Sequence, residues 1–272
     1  LVNSHGQPTN AVFGFTNTLK KILKDFQPEH FAVCFDRAGK TFRQEKYAAY
    51  KIQRPAMPDD LRSQMELIKQ VVRGYQLPIM EVEGYEADDL MATAVDKFAA
   101  KGVEVVIITD DKDLFQLIGD RVKVYSPRRE KMLERDDVVE ILGVEPDQVA
   151  DFLGLAGDSS DNIPGVLGIG KVSAQKLIAQ FGSLENIYAS LDKITSKSLR
   201  QKLEAQRQEA FLSRDLAKLR TDADVAGRLD DLKVRQPDAE ALYALFSQLE
   251  FHRFAAEMQV EPKSDSGVQV KE

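Results

Sequence analysis

The sequence contains no tryptophan, one cysteine and three histidines. A single cysteine cannot close an internal disulfide, and Cys34, set inside the apolar run FAVCF, reads as a small buried side chain rather than a reactive thiol. His5, His30 and His252 are scattered, so the close set of thiolates and imidazoles that a structural zinc ion needs is excluded. No apolar run approaches the length of a membrane span, and the first residues, LVNSHGQPTN, have neither the basic nor the apolar region of a secretory leader. These absences predict a cytoplasmic protein with no membrane partner.

What is present is enough apolar material, 43% of 272 residues, for one large domain or two modest ones. The formal net charge of -7 argues at first against a nucleic-acid partner, but a net charge averages over faces that can differ in sign. Between Arg37 and Arg54 the segment RAGKTFRQEKYAAYKIQR carries Arg37, Lys40, Arg43, Lys46, Lys51 and Arg54 against Glu45 alone. Arg43, Tyr47, Lys51 and Arg54 recur every three or four residues, which predicts one helical face of cations with an aromatic among them, suited to single-stranded nucleic acid. A solvated basic helix is the plain alternative for that segment taken by itself.

Short apolar runs alternate with amphipathic stretches over the first half of the chain. HFAVCFD from His30, LPIMEVEG from Leu77 and VEVVIITDD from Val103 read as strands. AVFGFTNTLKKILKDF, DLRSQMELIKQVVRGY and YEADDLMATAVDKFAAKG read as helices, the last stopped at Gly102. The alternation predicts an α/β fold with a largely parallel central sheet flanked by helices over residues 1–145. Beyond Val144 the pattern turns to helices and tight turns, predicting a mostly helical region over 146–258. QVEPKSDSGVQVKE, from residue 259, has no periodicity and reads as a tail or linker.

Each predicted strand ends in carboxylate: Asp36 after the first, Glu86, Asp88 and Asp89 after the second, Asp110, Asp111 and Asp113 after the third. Ligands of an open parallel sheet bind at the carboxyl ends of its strands, so these acids are expected to meet at one edge. Any one set could simply favour a helix N-terminus, with Asp113 capping a helix from Leu114. Three sets at three strand ends point instead to a cation. Carboxylates without imidazole or thiolate select Mg2+ or Mn2+, and two such ions can drive phosphodiester hydrolysis without a protein nucleophile.

A fourth acidic element, GDSSDN with Asp158 and Asp161, runs into IPGVLGIGKVSAQKL. Gly165, Gly170 and Lys171 fit the spacing of a P-loop, but Val172 stands where that loop needs Ser or Thr, and no strand precedes it. An ATPase is therefore rejected. The better expectation is a helix-hairpin-helix: a helix ending near Gly157, a turn in which Gly165, Gly168 and Gly170 let backbone amides approach phosphate beside Lys171, and a helix from Val172.

PTNAVFGF, FD followed by TFRQEKYAAYK, GYEADD, TDDKDLFQL and GDSSDNIPGVLGIG resemble, in order, the motifs of the flap endonuclease family, in particular its bacterial branch, the 5′-nuclease domain of DNA polymerase I. The resemblance runs from about Asn3 to about Met258. It implies two magnesium ions, with manganese as a substitute, held directly or through water by Asp36, Glu86, Asp88, Asp89, Asp111, Asp113, Asp158 and Asp161. It implies a helical arch over about 37–62, in which Arg43 and Lys51 contact the scissile phosphate and Tyr50 stacks on a base, and potassium at the hairpin turn. DNA with 5′ flaps, nicks or free 5′ ends is the implied substrate of a monomer, and a covalently linked polymerase follows in longer chains. Asp110 departs from the family, which carries a small residue there, and is expected to face solvent or add outer charge. The family also begins with a strand bearing one more metal-binding aspartate, which this sequence starts after. Two functions are thus in view, a structure-specific 5′ nuclease acting by two-metal hydrolysis and a non-catalytic branched-DNA-binding protein or inactive fragment.

Overall fold

The structure, a computed structural model, describes residues 1–225 and 227–259. The tail expected from residue 259 therefore lies, from residue 260 on, outside the described residues. In chain order the helices are α1 (Asn10–Phe26), α2 (Phe42–Lys46), α3 (Asp59–Gly74), α4 (Ala87–Ala99), α5 (Arg135–Leu142), α6 (Val149–Ala156), α7 (Lys171–Phe181), α8 (Leu184–Ala189), α9 (Lys197–Ala205), α10 (Arg207–Ala217), α11 (Ala239–Gln248) and α12 (His252–Met258). The strands are β1 (Val33–Cys34), β2 (Ile79–Met80), β3 (Val105–Ile108), β4 (Val122–Ser126) and β5 (Lys131–Leu133). No described helix is long and apolar enough to cross a membrane.

Contacts divide the chain into two compact units, and the division interleaves the sequence. The first unit comprises Leu1–Val33, Met57–Ile79 and the described residues from Arg228; the second comprises Cys34–Ala56 and Met80–Gly227. The sequence division expected at residue 145 thus falls inside the second unit.

In the first unit α1 packs on α3, and α3 on α11. The buried Gln64 of α3 accepts from the amides of Ala11 (2.8 Å) and Val12 (3.2 Å), satisfying two of the donors that a helix N-terminus leaves open. Phe13 stacks on Phe254 and meets Phe251 edge-on, at centroid distances of 5.2 and 5.3 Å.

In the second unit β3, β4 and β5 form a sheet in that order, β3–β4 parallel and β4–β5 antiparallel. Of these, periodicity marks only β3; the β4–β5 hairpin, VKVYSPRREKML, is too short and too charged to announce itself. The other sheet, β1–β2, has two-residue strands, with Val33 N donating to Pro78 O and Phe35 N to Met80 O, both at 2.9 Å. The largely parallel sheet is therefore realised as two small sheets. HFAVCFD is shortened as a strand because its start pairs elsewhere: Phe31 N donates to Leu232 O at 2.8 Å.

The helical part of this unit packs α6 against α10, where Gly154 makes the close approach possible. A Cβ there would lie 2.9 Å from Arg214 Cβ and 3.0 Å from Ala210 O. The stretch from Lys197 to Leu219 is broken at Gln206 into α9 and α10 rather than continuous.

Candidate metal and nucleic-acid site

All the predicted acids and the basic segment belong to the second unit. Asp36 follows β1, and its Oδ1 accepts from Ala87 N at 2.7 Å, so it caps α4 from a distant part of the chain. Glu86 is the N-cap of α4, and Asp89 at its third position accepts from Glu86 N at 3.2 Å. The helix after β3 is a 3-10 turn, Lys112–Leu117, and its cap is Asp111, whose Oδ1 accepts from Asp113 N at 3.0 Å. The cap predicted at Asp113 is thereby corrected: Asp113 is already inside the turn. Asp110 is turned aside and accepts from Ser126 Oγ at 2.5 Å.

These acids fall into two groups. The carboxyl of Asp88 is pushed up to about 7, by burial first and then by Asp111, Glu86 and Asp36, with Lys51 pulling the other way. Asp113 is likewise pushed up to about 7 by burial and by Asp111, Asp161, Asp158 and Asp88. The fold thus brings Asp36, Glu86 and Asp111 within electrostatic reach of Asp88, and Asp88, Asp111, Asp158 and Asp161 within reach of Asp113. Among the described residues no three of them already close on one point as a finished cage. An open set of carboxylates that repel one another fits a hard divalent cation of the magnesium type, which keeps several waters and takes few protein ligands. The site carries no soft ligand: Cys34 has its thiol pushed up to about 12, by burial and then by Asp88, and stays protonated at neutral pH.

The second group is neutralised by the basic segment. Asp89 is wholly buried and holds Arg43 in a two-pronged ion pair, Nη1–Oδ2 at 2.7 Å and Nη2–Oδ1 at 2.8 Å. Arg43, itself 1% exposed, also donates to the carbonyls of Leu216 (2.8 Å) and Lys218 (3.2 Å). Arg220 N donates to Asp89 Oδ1 at 2.9 Å and completes its shell. Glu86 accepts from Lys51 Nζ at 2.8 Å, Tyr50 Oη at 3.1 Å and Arg43 Nη1 at 3.3 Å. Asp161 lies 3.1 Å from the same Tyr50 Oη, whose single proton the two carboxylates share, and takes Lys51 at 3.5 Å and a close bond from Arg54.

Three expectations are corrected by this arrangement. The periodic cationic helix over Arg43, Tyr47, Lys51 and Arg54 is only α2, five residues long, followed by turns in which Lys51 adopts φ 56. The helical register ends already at Tyr47, which is extended at φ -143 and ψ 99, so the four residues share no helical face. Arg43 faces no phosphate, because a guanidinium withdrawn from water must be held by charge and carbonyls, as Asp89, Leu216 and Lys218 hold it. Tyr50 is 3% exposed and packs with Ile163, Leu216 and Ala217, which leaves no free ring for a base. Burial and Glu86 raise its phenol far above the usual range, so it acts as a donor.

The turn after α6 runs as predicted into α7. Asp158 and Ile163 bridge each other, N to O, at 2.9 and 2.8 Å, folding GDSSDN back on itself. Gly157 (φ 70) and Gly165 (φ 63) sit back to back, where a Cβ on Gly165 would lie 2.3 Å from Gly157 N. Gly165 is buried and its amide donates to Ser213 Oγ at 2.9 Å, so it is not a phosphate donor as expected. Gly168, Gly170 and Lys171 are exposed, and α7 begins at Lys171 with Gly170 as its N-cap, so no side chain caps it. That leaves first-turn amides facing outward, the arrangement that receives anions. Arg220 and the β4–β5 turn are the neighbours that sequence reading missed. Arg220 lies 131 residues from Asp89, and nothing in its local sequence announces the contact.

The fold and site together define an α/β protein with an acid-lined strand edge joined to a helical hairpin that presents backbone amides. A family model described as the 5′-3′ exonuclease N-terminal resolvase-like domain matches residues 1–143, and one described as the 5′-3′ exonuclease C-terminal SAM fold matches residues 144–240. The chain belongs to the 5′-3′ exonuclease family. It is 38% identical over 258 residues to a 5′-3′ exonuclease of Aquifex aeolicus, covering 95% of this chain and 88% of the relative. It is 43% identical over 257 residues to DNA polymerase I of Caldicellulosiruptor bescii, covering 92% of this chain and 30% of the relative. The chain thus spans about 30% of the length of the DNA polymerase I relatives it matches. Among solved structures, T5 5′-exonuclease with bound divalent metal ions (zinc) shares the fold, with TM-score 0.69, 22% identity, and 94% of this chain and 92% of that one covered. The catalytic core of Rad2 in complex with DNA substrate does so with TM-score 0.62, 18% identity, and 95% and 85% covered.

Proposed function

We propose that this chain is a structure-specific 5′ nuclease, a 5′-3′ exonuclease and flap endonuclease that hydrolyses DNA phosphodiester bonds at flaps, nicks and free 5′ ends. The observation that carries the reading is the set of mutually repelling acids gathered by the fold, with Asp88 and Asp113 pushed up to about 7 by burial and then by their acidic neighbours. Asp36, Asp88, Asp111, Asp113 and Asp158 are the residues that would hold two magnesium ions, or manganese in their place, with Glu86 and Asp161 joining once their cations are drawn away. Bound there, the ions would activate a water and stabilise the leaving oxygen. Lys51 and Arg54 supply positive charge beside the acids, and an entering phosphodiester competes with Glu86 and Asp161 for it. Gly168, Gly170 and Lys171 present the amides and the cation that would hold duplex phosphate, with potassium at that turn. The reading includes a cytoplasmic monomer and, in a longer chain, a linked polymerase.

The second reading, a non-catalytic binder of branched DNA, draws on the closure of Glu86 and Asp161 by Lys51, Tyr50 and Arg54. Cleavage of an end-labelled 5′-flap DNA by the wild type, Asp111→Asn and Asp158→Asn separates the two. Cutting by the wild type in magnesium but not in EDTA is expected, with each variant slowed about a thousandfold, ~4 kcal/mol in barrier, and DNA binding kept or tightened. Near-normal cleavage by both variants rules out the metal assignment, and tight binding by a wild type that never cuts favours the binder.

A further inference from the structure

β3 and β4 run parallel with Ile108 opposite Tyr125, so the loop bearing the aspartates and the β4–β5 turn leave the sheet at the same edge. The two are fastened together. Asp110 Oδ1 accepts from Ser126 Oγ at 2.5 Å and from Arg128 N at 3.3 Å, and Arg129 N donates to Ser126 Oγ at 3.2 Å. This gives Asp110 a use that its position next to Asp111 does not suggest: it pins a second loop to the rim of the acid centre. Pro127 limits the turn further by fixing its own φ.

The turn carries two adjacent arginines, Arg128 and Arg129, both exposed, and among the described residues neither forms an ion pair. Their neighbours differ: Lys123 is paired with Glu134, Lys131 with Asp137 and Arg135 with Glu145. Arg129 lies within electrostatic reach of Asp137, which Lys131 already holds. On the other side of the acids the cations are engaged as well, Arg43 by Asp89, Lys51 by Glu86 and Arg54 by Asp161. Two uncommitted guanidinium groups on a fastened turn beside a repulsive acidic edge are suited to a phosphodiester backbone, which their planar forks can bind in a two-pronged fashion.

We propose that the β4–β5 turn is a phosphate-binding surface through which Arg128 and Arg129 hold the DNA strand at the rim of the acid centre. The proposal rests on the nuclease reading above for the identity of the ligand. Binding of a fluorescent 5′-flap DNA, with calcium in place of magnesium, is to be followed by anisotropy across a range of NaCl concentrations. Arg128→Ala/Arg129→Ala should weaken binding about tenfold or more and flatten the slope of log K against log salt by roughly 0.9 for each lost phosphate contact. Arg128→Lys/Arg129→Lys should retain most of the slope. Lys101→Ala, an exposed cation at the amino end of β3, should leave it unchanged. A double alanine variant with wild-type slope and affinity overturns the proposal, as does an equal drop in Lys101→Ala. If the wild type itself binds no DNA, the nuclease reading fails and this one with it, so the two failures are told apart.

Discussion

The acids of the second unit form two populations that differ in what answers their charge. Asp89, Glu86 and Asp161 are answered from within the chain, by Arg43, Lys51, Arg54 and the Tyr50 hydroxyl. Asp88 and Asp113 meet mainly other carboxylates, and burial among them lifts both to about 7. The first population ties a basic segment into the fold. The second is left with a repulsion that Lys51 relieves only in part, at Asp88, which is the physical signature of a place for an added cation rather than of a structural network. Two adjacent aspartates in GYEADD thus do opposite work: Asp88 belongs to one population and Asp89 to the other.

The comparison breaks most visibly if Asp89 is removed. Asp89→Asn leaves Arg43 buried with its two-pronged ion pair lost and only Glu86 at 3.3 Å remaining, and Arg43→Ala leaves Asp89 buried and charged, so each should lower stability by about 3–5 kcal/mol in urea unfolding. Asp111→Asn, which relieves repulsion, should hold or gain stability in the same assay. Equal losses in Asp89→Asn and Asp111→Asn would erase the distinction between the two populations.

The next effect tests the metal directly, by stability rather than activity. Magnesium at a hundredfold its dissociation constant should stabilise the wild type by about 2.7 kcal/mol relative to EDTA. That increment should vanish in Asp111→Asn and persist in Asp89→Asn under conditions where the latter is folded. An increment of the same size in all three proteins would place the ion elsewhere.

The smallest effect is expected where a pair of the same chemistry is wet. Lys46 and Asp215 meet at 2.7 Å with both side chains more than 40% exposed. Lys46→Ala should change unfolding stability by about 1 kcal/mol or less, because water screens the pair. A loss comparable to that of Arg43→Ala would mean that burial is not what separates the strong pairs from the weak.

Much of this arrangement was legible in the sequence. The periodicity of AVFGFTNTLKKILKDF gave α1 to within a residue, VEVVIITDD gave β3, and the glycine spacing of GVLGIGK gave the turn before α7, because local propensity and burial agree there. The gathering of acids at strand ends followed from a topological rule that needs only the order of strands and helices. The basic segment was misjudged because a recurrence of three or four residues predicts a helix only where the backbone stays helical, and it does not past Lys46.

What the sequence by itself determined is therefore which charges exist and that most of the acids collect at one edge, since both depend on residue order and short-range periodicity. Which acid is neutralised and which is left bare was decided by the tertiary structure alone. Arg43 lies 46 residues from Asp89 and 173 from Leu216, and Arg54 lies 107 from Asp161. Coulombic energy and desolvation depend on distance and burial in space, and only the folded chain sets those.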